Sequence, residues 1–203
     1  MCLLIHKPRD AELPDALLDS AADYNPHGYG LMAFADGELV VHRRANTRKS
    51  ELFALYRELR DHECVIHLRY GTSGVVDMTN THPVKITQGL YMAHNGTVNL
   101  EHHESERSDT WHLVNDYLRP VLSRRPELLY DSFFQNLVTN WCGPHNKFVF
   151  MDGANRRTVI VNRESGFEVE GFWLSNTRWF DASRFAWRQA APARLSGLPQ
   201  FST

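Results

Sequence analysis

The chain has 203 residues, a formal charge of -2 and 42% apolar residues, which is the composition of an ordinary globular protein. This length favours a single domain spanning residues 1–203, in which 181–203 read as a C-terminal tail because the apolar pattern fades there. The nearly balanced charge gives no reason to expect a nucleic-acid surface, and no apolar stretch approaches the ~20 residues that cross a bilayer. We therefore expect neither nucleic acid nor membrane as a partner.

The N-terminal segment also lacks the features of a secretory signal. Pro8, Arg9 and Asp10 end the first apolar run within a few residues, and no basic segment precedes it. Three cysteines, an odd number, favour reduced thiols over a disulfide framework. The prediction is a cytoplasmic protein.

In chain order, the apolar patterns predict strands with one helix among them, then two consecutive helices, then strands again. Strands are predicted at 3–6, 28–35, 38–42, 64–70, 89–94, 147–151, 158–161 and 167–174. Helices are predicted at 50–60, 108–122 and 126–139, with Ser108 or Asp109 as the N-cap of the second. Asp36-Gly37 predicts a hairpin turn. This order favours an α+β fold over alternating βαβ units.

Cys2 is the first candidate for chemistry. Removal of Met1 would leave a thiol beside a free α-amine, and an amine with a pKa near ~8 can take the thiol proton and return it to a leaving group. Taken alone, a second-position cysteine before a strand is more often a small buried hydrophobe. The other candidates decide between these two interpretations.

Four polar groups follow predicted strands or begin a helix. Arg69 can clamp a carboxylate or form a structural ion pair, and His82 precedes a proline that holds it extended. Asn95-Gly96 offers a side-chain amide and an unhindered N–H, as an oxyanion hole requires, although most Asn-Gly pairs are turns. Asp109 can cap a helix or receive an ammonium group.

These features occur in a characteristic order: Cys2, Asn25-Pro-His-Gly-Tyr-Gly30, Arg69 with Thr72, Asn80-Thr-His-Pro83, His94-Asn-Gly96 and Ser108-Asp-Thr110. In this order the chain resembles the class II glutamine amidotransferases, which are N-terminal-nucleophile hydrolases, over roughly residues 2–175. The resemblance implies a four-layer αββα sandwich of two antiparallel sheets. It implies no cofactor and no metal.

The resemblance also implies roles for the catalytic residues. Cys2 would attack the γ-carboxamide of L-glutamine and form a γ-glutamyl thioester, releasing ammonia before water releases glutamate. Asn95 and Gly96 would hold the oxyanion.

It further implies a substrate pocket. Arg69, helped by Thr72, would bind the α-carboxylate of glutamine, and Asp109 would bind the α-ammonium. His82 is assigned to substrate binding. Tyr70 stands where synthase-type members commonly have tryptophan, which reshapes the pocket rim.

The implied partner is a separate ammonia-accepting synthetase or ligase subunit, because the chain ends where an acceptor domain would begin. Two alternatives remain open. A γ-glutamyl peptide hydrolase would use the same residues, and a catalytically idle subunit would bind glutamine for regulation.

A metal site is the remaining rival. Cys64 and His67 are three residues apart on a predicted strand, so their side chains point to opposite faces and cannot chelate together. Cys142 reads as a loop or helix-end thiol, and His102-His103, flanked by glutamates, reads as a solvated loop.

Overall fold

The computed structural model describes residues 2–71, 75–101 and 103–180. Its strands are β1 (Leu3–Lys7), β2 (Gly28–Ala35), β3 (Glu38–Ala45), β4 (Cys64–Leu68), β5 (Val84–Thr87), β6 (Leu90–Asn95), β7 (Lys147–Asp152), β8 (Arg157–Val161), β9 (Phe167–Val169) and β10 (Phe172–Leu174). They form a six-stranded sheet in the order β3-β2-β4-β1-β10-β9 and a four-stranded sheet in the order β5-β6-β7-β8. Every pairing is antiparallel.

Helices cover the outer faces of both sheets. They are α1 (Asp15–Tyr24), α2 (Lys49–Leu59), α3 (Asp109–His112), a π-helical segment (Leu113–Leu118), α4 (Arg119–Leu122) and α5 (Ser132–Cys142), with 3-10 turns at Pro126–Tyr130 and Arg163–Ser165. The residues from α3 to α4 run on as one helix.

The burial pattern of β1 explains the layering. Its five residues are all buried, although successive side chains of a strand point to opposite faces. Leu3 and Ile5 pack in a core with α1 and α2, whereas Leu4 packs with Met151 and other residues of the second sheet. A third core joins the second sheet to the helices around residues 113–138. The fold is therefore the expected αββα sandwich of two antiparallel sheets.

Two predicted elements are wrong in detail. The helix predicted at 126–139 is divided at Asp131, which ends a 3-10 turn and caps α5 by accepting a hydrogen bond from the Phe134 N–H at 3.0 Å. The strand predicted at 167–174 is a hairpin of β9 and β10, because Glu170 and Gly171 both have positive φ.

Ser108 is the N-cap of α3, as one of the two predicted alternatives, and accepts from the Trp111 N–H at 3.2 Å. Among the described residues, no helix combines the length and apolar character needed to cross a membrane. Thr72 and the predicted tail at 181–203 lie outside the described residues.

Candidate active site

The register of the first sheet brings Cys2 beside Arg69. Leu3 at the start of β1 pairs with Leu68 at the end of β4, so the next position along each strand places Cys2 next to Arg69. The Cys2 Sγ accepts a hydrogen bond from the Tyr70 N–H at 3.4 Å and lies 3.5 Å from the Tyr70 carbonyl oxygen. A strand pair in the middle of the larger sheet therefore fixes the distance between the predicted nucleophile and the predicted carboxylate clamp.

Two side chains hold the main chain of Cys2, and a third holds that of Leu4 in the same strand. The amide groups of Asn95 and Asn176 both donate to the Cys2 carbonyl oxygen, the second at 2.8 Å. Asn95 also donates to the Ser175 Oγ at 2.8 Å, and the same hydroxyl accepts from the Leu4 N–H. Both amide hydrogens of Asn95 are thus directed at the β1 and β10 side of the site.

Gly96 follows Asn95 at the edge of the same cleft. It has a φ of 152°, and a Cβ added there would lie 2.1 Å from the Asn146 Oδ1. Asn146 cannot move away easily, because its Oδ1 also contacts the His94 Nε2 at 2.8 Å and its amide donates to the Cys142 carbonyl oxygen. Only glycine fits this position without displacing its neighbours.

Arg69 and Asn80 form one wall of the site. Arg69 is 3% exposed, and its Nη2 donates to the Val75 carbonyl oxygen at 3.0 Å. Asn80 donates to the same carbonyl and to that of Glu106, and its own Oδ1 accepts from the Ser108 N–H at 2.8 Å. Burial lowers the pKa of Arg69, while the neighbouring Cys2 opposes that shift. The guanidinium remains a cation at neutral pH.

Asp109 also lines the cleft and lies at the start of α3. It is 6% exposed, and its Oδ2 accepts a hydrogen bond from the Val98 N–H at 2.7 Å. A carboxylate in the first turn is also favoured by the positive end of the helix dipole. The site therefore contains both a buried cation and a buried anion.

A row of three buried histidines supports the floor of the site. The His82 Nδ1 accepts from the His94 backbone N–H at 3.3 Å, so the 3.1 Å contact with the His67 Nε2 requires the hydrogen on His67. The His94 ring lies between Thr110 and Asn146, at 2.8 Å from each. Because the His82 Nδ1 accepts from both His94 and His67, the proton of neutral His82 lies on Nε2.

Burial is the main cause of the low pKa of all three histidines. It lowers the pKa of His67 to about 3, and those of His82 and His94 fall below their ordinary value. All three are therefore neutral at physiological pH.

The cleft bounded by these groups is narrow, and the space between them, open solvent included, is about 340 Å³. Its lining includes five of the seven predicted site residues: Cys2, Arg69, His82, Gly96 and Asp109. Asn95 donates a hydrogen bond to the Cys2 carbonyl oxygen, and Thr72 is outside the described residues.

Burial raises the pKa of the Cys2 thiol, although the Tyr70 hydrogen bond opposes the shift. At neutral pH this thiol needs a base.

Sequence reasoning missed Ser175, Asn176 and Asn146 as residues that position the site. Ser175 and Asn176 follow β10, which pairs with β1, but the sequence gives no sign that β10 is the neighbour of β1. Asn80 belongs to the recognised Asn-Thr-His-Pro segment, yet only its histidine was assigned a role. The polar identity of a residue one step after a strand was the available signal.

Residues 15–138 match the sequence profile of a family described as "Glutamine amidotransferases class-II". A comparison with curated proteins finds no match.

Two solved structures have low sequence identity to this chain. One is the glutamine phosphoribosylpyrophosphate amidotransferase from B. subtilis complexed with ADP and GMP, with 17% identity and a TM-score of 0.48 over 89% of this chain. This chain spans 43% of that protein's length. The other is a glutamine aminotransferase class-II domain protein from Silicibacter pomeroyi, with 13% identity and a TM-score of 0.39 over 75% of this chain and 73% of that one.

Proposed function

The chain belongs to the class II glutamine amidotransferases, and from this premise we propose that it hydrolyses the γ-carboxamide of L-glutamine with Cys2 as the nucleophile. The observation that carries the proposal is the cleft in which Cys2, Arg69 and Asp109 meet. A buried cation and a buried anion that line one cleft are complementary to the α-carboxylate and α-ammonium of a free amino acid. The thiol lies in the same cleft.

The chemistry begins with removal of Met1, which frees the α-amine of Cys2. The amine takes the thiol proton as Sγ attacks the γ-carbonyl carbon, and the carbonyl π electrons move to oxygen. Collapse of this oxyanion breaks the carbon–nitrogen bond, and the protonated amine gives its proton to the leaving ammonia. Water then attacks the thioester with the amine as base, releasing glutamate and restoring the thiol. A thiol whose pKa is raised by burial makes this base necessary.

Gly96 and Asn95 are the proposed oxyanion donors. The Gly96 N–H borders the cleft, and removal of one such donor typically costs ~3 kcal/mol of transition-state stabilisation. Asn95 donates to the Cys2 carbonyl and to Ser175 in the unliganded protein. Its oxyanion role requires one N–H to turn toward the substrate when glutamine binds.

Substrate binding is assigned to Arg69, His82 and Asp109. Arg69 presents a planar fork that matches a carboxylate, and the Nε2–H of neutral His82 is a donor for a substrate oxygen. Thr72 is proposed to assist Arg69, as the family resemblance implies.

The test is glutamate and ammonia release by protein whose intact mass confirms loss of Met1. The Cys2→Ala variant should lose turnover and keep the wild-type melting temperature, whereas Cys142→Ala, a matched loss of a thiol outside the cleft, should keep both. Wild-type turnover in Cys2→Ala would eliminate the proposed mechanism.

The same assay distinguishes glutamine from γ-glutamyl peptides. We propose glutamine as the preferred substrate, so kcat/KM for glutamine should exceed that for γ-glutamyl dipeptides. The reverse order would identify a peptide hydrolase. Binding of glutamine without turnover by processed protein would identify a regulatory subunit.

We further propose that the ammonia passes to a synthetase or ligase on a separate polypeptide. This proposal is supported by family membership alone. An acceptor would be recognised as a protein that co-purifies with the chain and raises its glutaminase rate.

A further inference from the structure

Three metal-ligating side chains converge outside the Cys2 cleft. His103, His112 and Asp116 each offer one ligand atom, and these atoms lie within 4.8 Å of one another. The Asp116 Oδ2 is 3.3 Å from the His112 Nδ1 and 3.7 Å from the His103 Nδ1. None of the three residues lines the cleft that contains Cys2.

The orientation of His112 provides a second, independent observation. The side chain is buried, and its Nε2 lies 3.2 Å from the Glu104 carbonyl oxygen. A carbonyl oxygen only accepts hydrogen bonds, so Nε2 carries the hydrogen, and the other ring nitrogen faces the Asp116 carboxylate. The His112 Nδ1 and the Asp116 Oδ2 therefore face each other at 3.3 Å, an arrangement in which both atoms can bind one cation.

The outer contact of His112 is the one that metal-binding histidines usually make. Such a histidine donates its second N–H to a backbone carbonyl or carboxylate, which fixes the tautomer and directs the free nitrogen at the metal. The Glu104 carbonyl has this role here.

One of the distances between the ligand atoms already suits a metal ion, and the others require a movement of His103. Around a tetrahedral Zn²⁺ with bonds of 2.0–2.2 Å, ligand atoms lie about 3.3–3.6 Å apart. The His112–Asp116 contact of 3.3 Å has this spacing already. The His103 side chain is 58% exposed, so rotation into the site meets little steric resistance.

We propose that His103, His112 and Asp116 bind a divalent transition-metal ion of the Zn²⁺ type. Two imidazoles and one carboxylate are a ligand set that Zn²⁺ accepts, with water in the fourth position. This assignment revises the prediction from sequence, in which His103 was part of a solvated loop and no metal was expected.

The local helix geometry accounts for the position of Asp116. Pro120 lacks an N–H, and in a regular α-helix its ring would clash with the carbonyl group of residue 116. The preceding residues Leu113–Leu118 are instead π-helical, which widens the turn. Asp116 still lies within reach of His112 on the same side of the helix.

A metal ion here would join the loop before α3 to the helix itself. This loop also borders the Cys2 cleft, because the Glu106 carbonyl oxygen accepts from Asn80 and the Ser108 N–H donates to Asn80. The expected role is therefore structural. The site binds metal whether or not the chain hydrolyses glutamine.

The experiment uses untagged full-length Cys2→Ala protein, which removes the thiol of the cleft as a competing ligand. Zn²⁺ is titrated against a chromophoric chelator above the ordinary imidazole pKa of ~6.5, and Co²⁺ absorption reports the ligand type. The expected result is one equivalent per chain, with no thiolate-to-cobalt charge-transfer band. Binding should also raise the melting temperature.

His103→Ala and Asp116→Asn are the test variants, because both side chains reach the surface and their loss leaves the folded core intact. Each should weaken Zn²⁺ binding by about 100-fold or more, the upper range for loss of even an outer-shell partner. His42→Ala and Asp61→Asn change an exposed histidine and an exposed aspartate elsewhere and should bind as the parent does. The proposal is overturned by the absence of stoichiometric binding, or by unchanged affinity in both test variants.

Discussion

Gly30 lies in the middle of the buried strand β2, at a position where a larger residue would clash with the neighbouring chain. A Cβ at this position would lie 1.9 Å from the His82 carbonyl oxygen and 2.7 Å from the Pro83 Cδ. No positive φ applies to Gly30, so an alanine there has no backbone penalty of its own. Gly30→Ala therefore isolates the steric cost of bringing the His82-Pro83 segment against β2.

The size of the effect follows from the displacement required. An ordinary contact of 3.4 Å demands that β2 and the His82 carbonyl separate by about 1.5 Å. The segment is not free to yield, because Arg43 donates to the carbonyl oxygens of Thr81 and Pro83 at 3.3 and 3.2 Å. Overpacking by one methyl group costs about 1–3 kcal/mol, and contact with clamped backbone puts Gly30→Ala at the upper end.

The assay is thermal unfolding followed by circular dichroism. A loss of about 3 kcal/mol should lower the melting temperature by about 6–12 °C in a domain of this size. The matched control is Gly71→Ala, where the nearest atom to a new Cβ is 3.5 Å away, and its melting temperature should stay the same or rise slightly. Equal melting temperatures for wild type and Gly30→Ala would refute the steric argument.

Three further predictions concern the charged and titratable groups of the cleft and a residue that positions Cys2. Burial lowers the pKa of His67 to about 3, so its contribution to stability is complete above pH ~6.5 and is lost as pH falls toward 3. His67→Gln should therefore reduce the slope of unfolding free energy against pH in this window by up to about 1.4 kcal/mol per pH unit. An unchanged slope in urea titrations would contradict this. Arg69→Lys and Asp109→Asn should each raise KM for glutamine by about 10–100-fold, since charge-assisted hydrogen bonds contribute about 1.5–3 kcal/mol, and initial-rate kinetics with KM unaltered would remove their binding role. Asn176→Ala should lower kcat more than it raises KM, because Asn176 contacts the Cys2 carbonyl and does not line the cleft; a change confined to KM would argue against a positioning role.

The sequence predicts the strands that have a regular apolar pattern and misses the elements whose local apolar signal is weak. The hairpin of β2 and β3 was recognisable because Asp36-Gly37 separates two apolar runs, and both residues indeed have positive φ. The helix α1 went unassigned: it begins after Pro14 without a side-chain cap, and two of its buried residues are alanines, which give a weak apolar signal. The four-residue strand β5 was also missed, because so short a run has little periodicity of its own.

The site shows a further limit, which is set by contacts between residues that are distant in the sequence. Cys2, Arg69 and Asp109 were identified from a resemblance in the order of motifs, and the antiparallel register of β1 with β4 explains how two of them meet. The partners of Cys2 on β10 could not be inferred, because their relevance depends on a strand pairing between residues about 170 positions apart in the chain. Side chains that only orient others carry no motif.

Asn95 contacts the main chain of Cys2 and is also a proposed oxyanion donor. The sequence assigns it to an oxyanion, whereas the unliganded structure has both its amide hydrogens on the Cys2 carbonyl and Ser175. Asn176 donates to that same carbonyl, so the main chain of Cys2 keeps a donor when Asn95 turns toward a substrate. Because Asn176 still donates to it, the Cys2 carbonyl would not become an unsatisfied buried acceptor, which costs about 1–3 kcal/mol. If Asn95 is the proposed oxyanion donor, two asparagines on one carbonyl would permit it to act on the substrate while Asn176 keeps Cys2 in place.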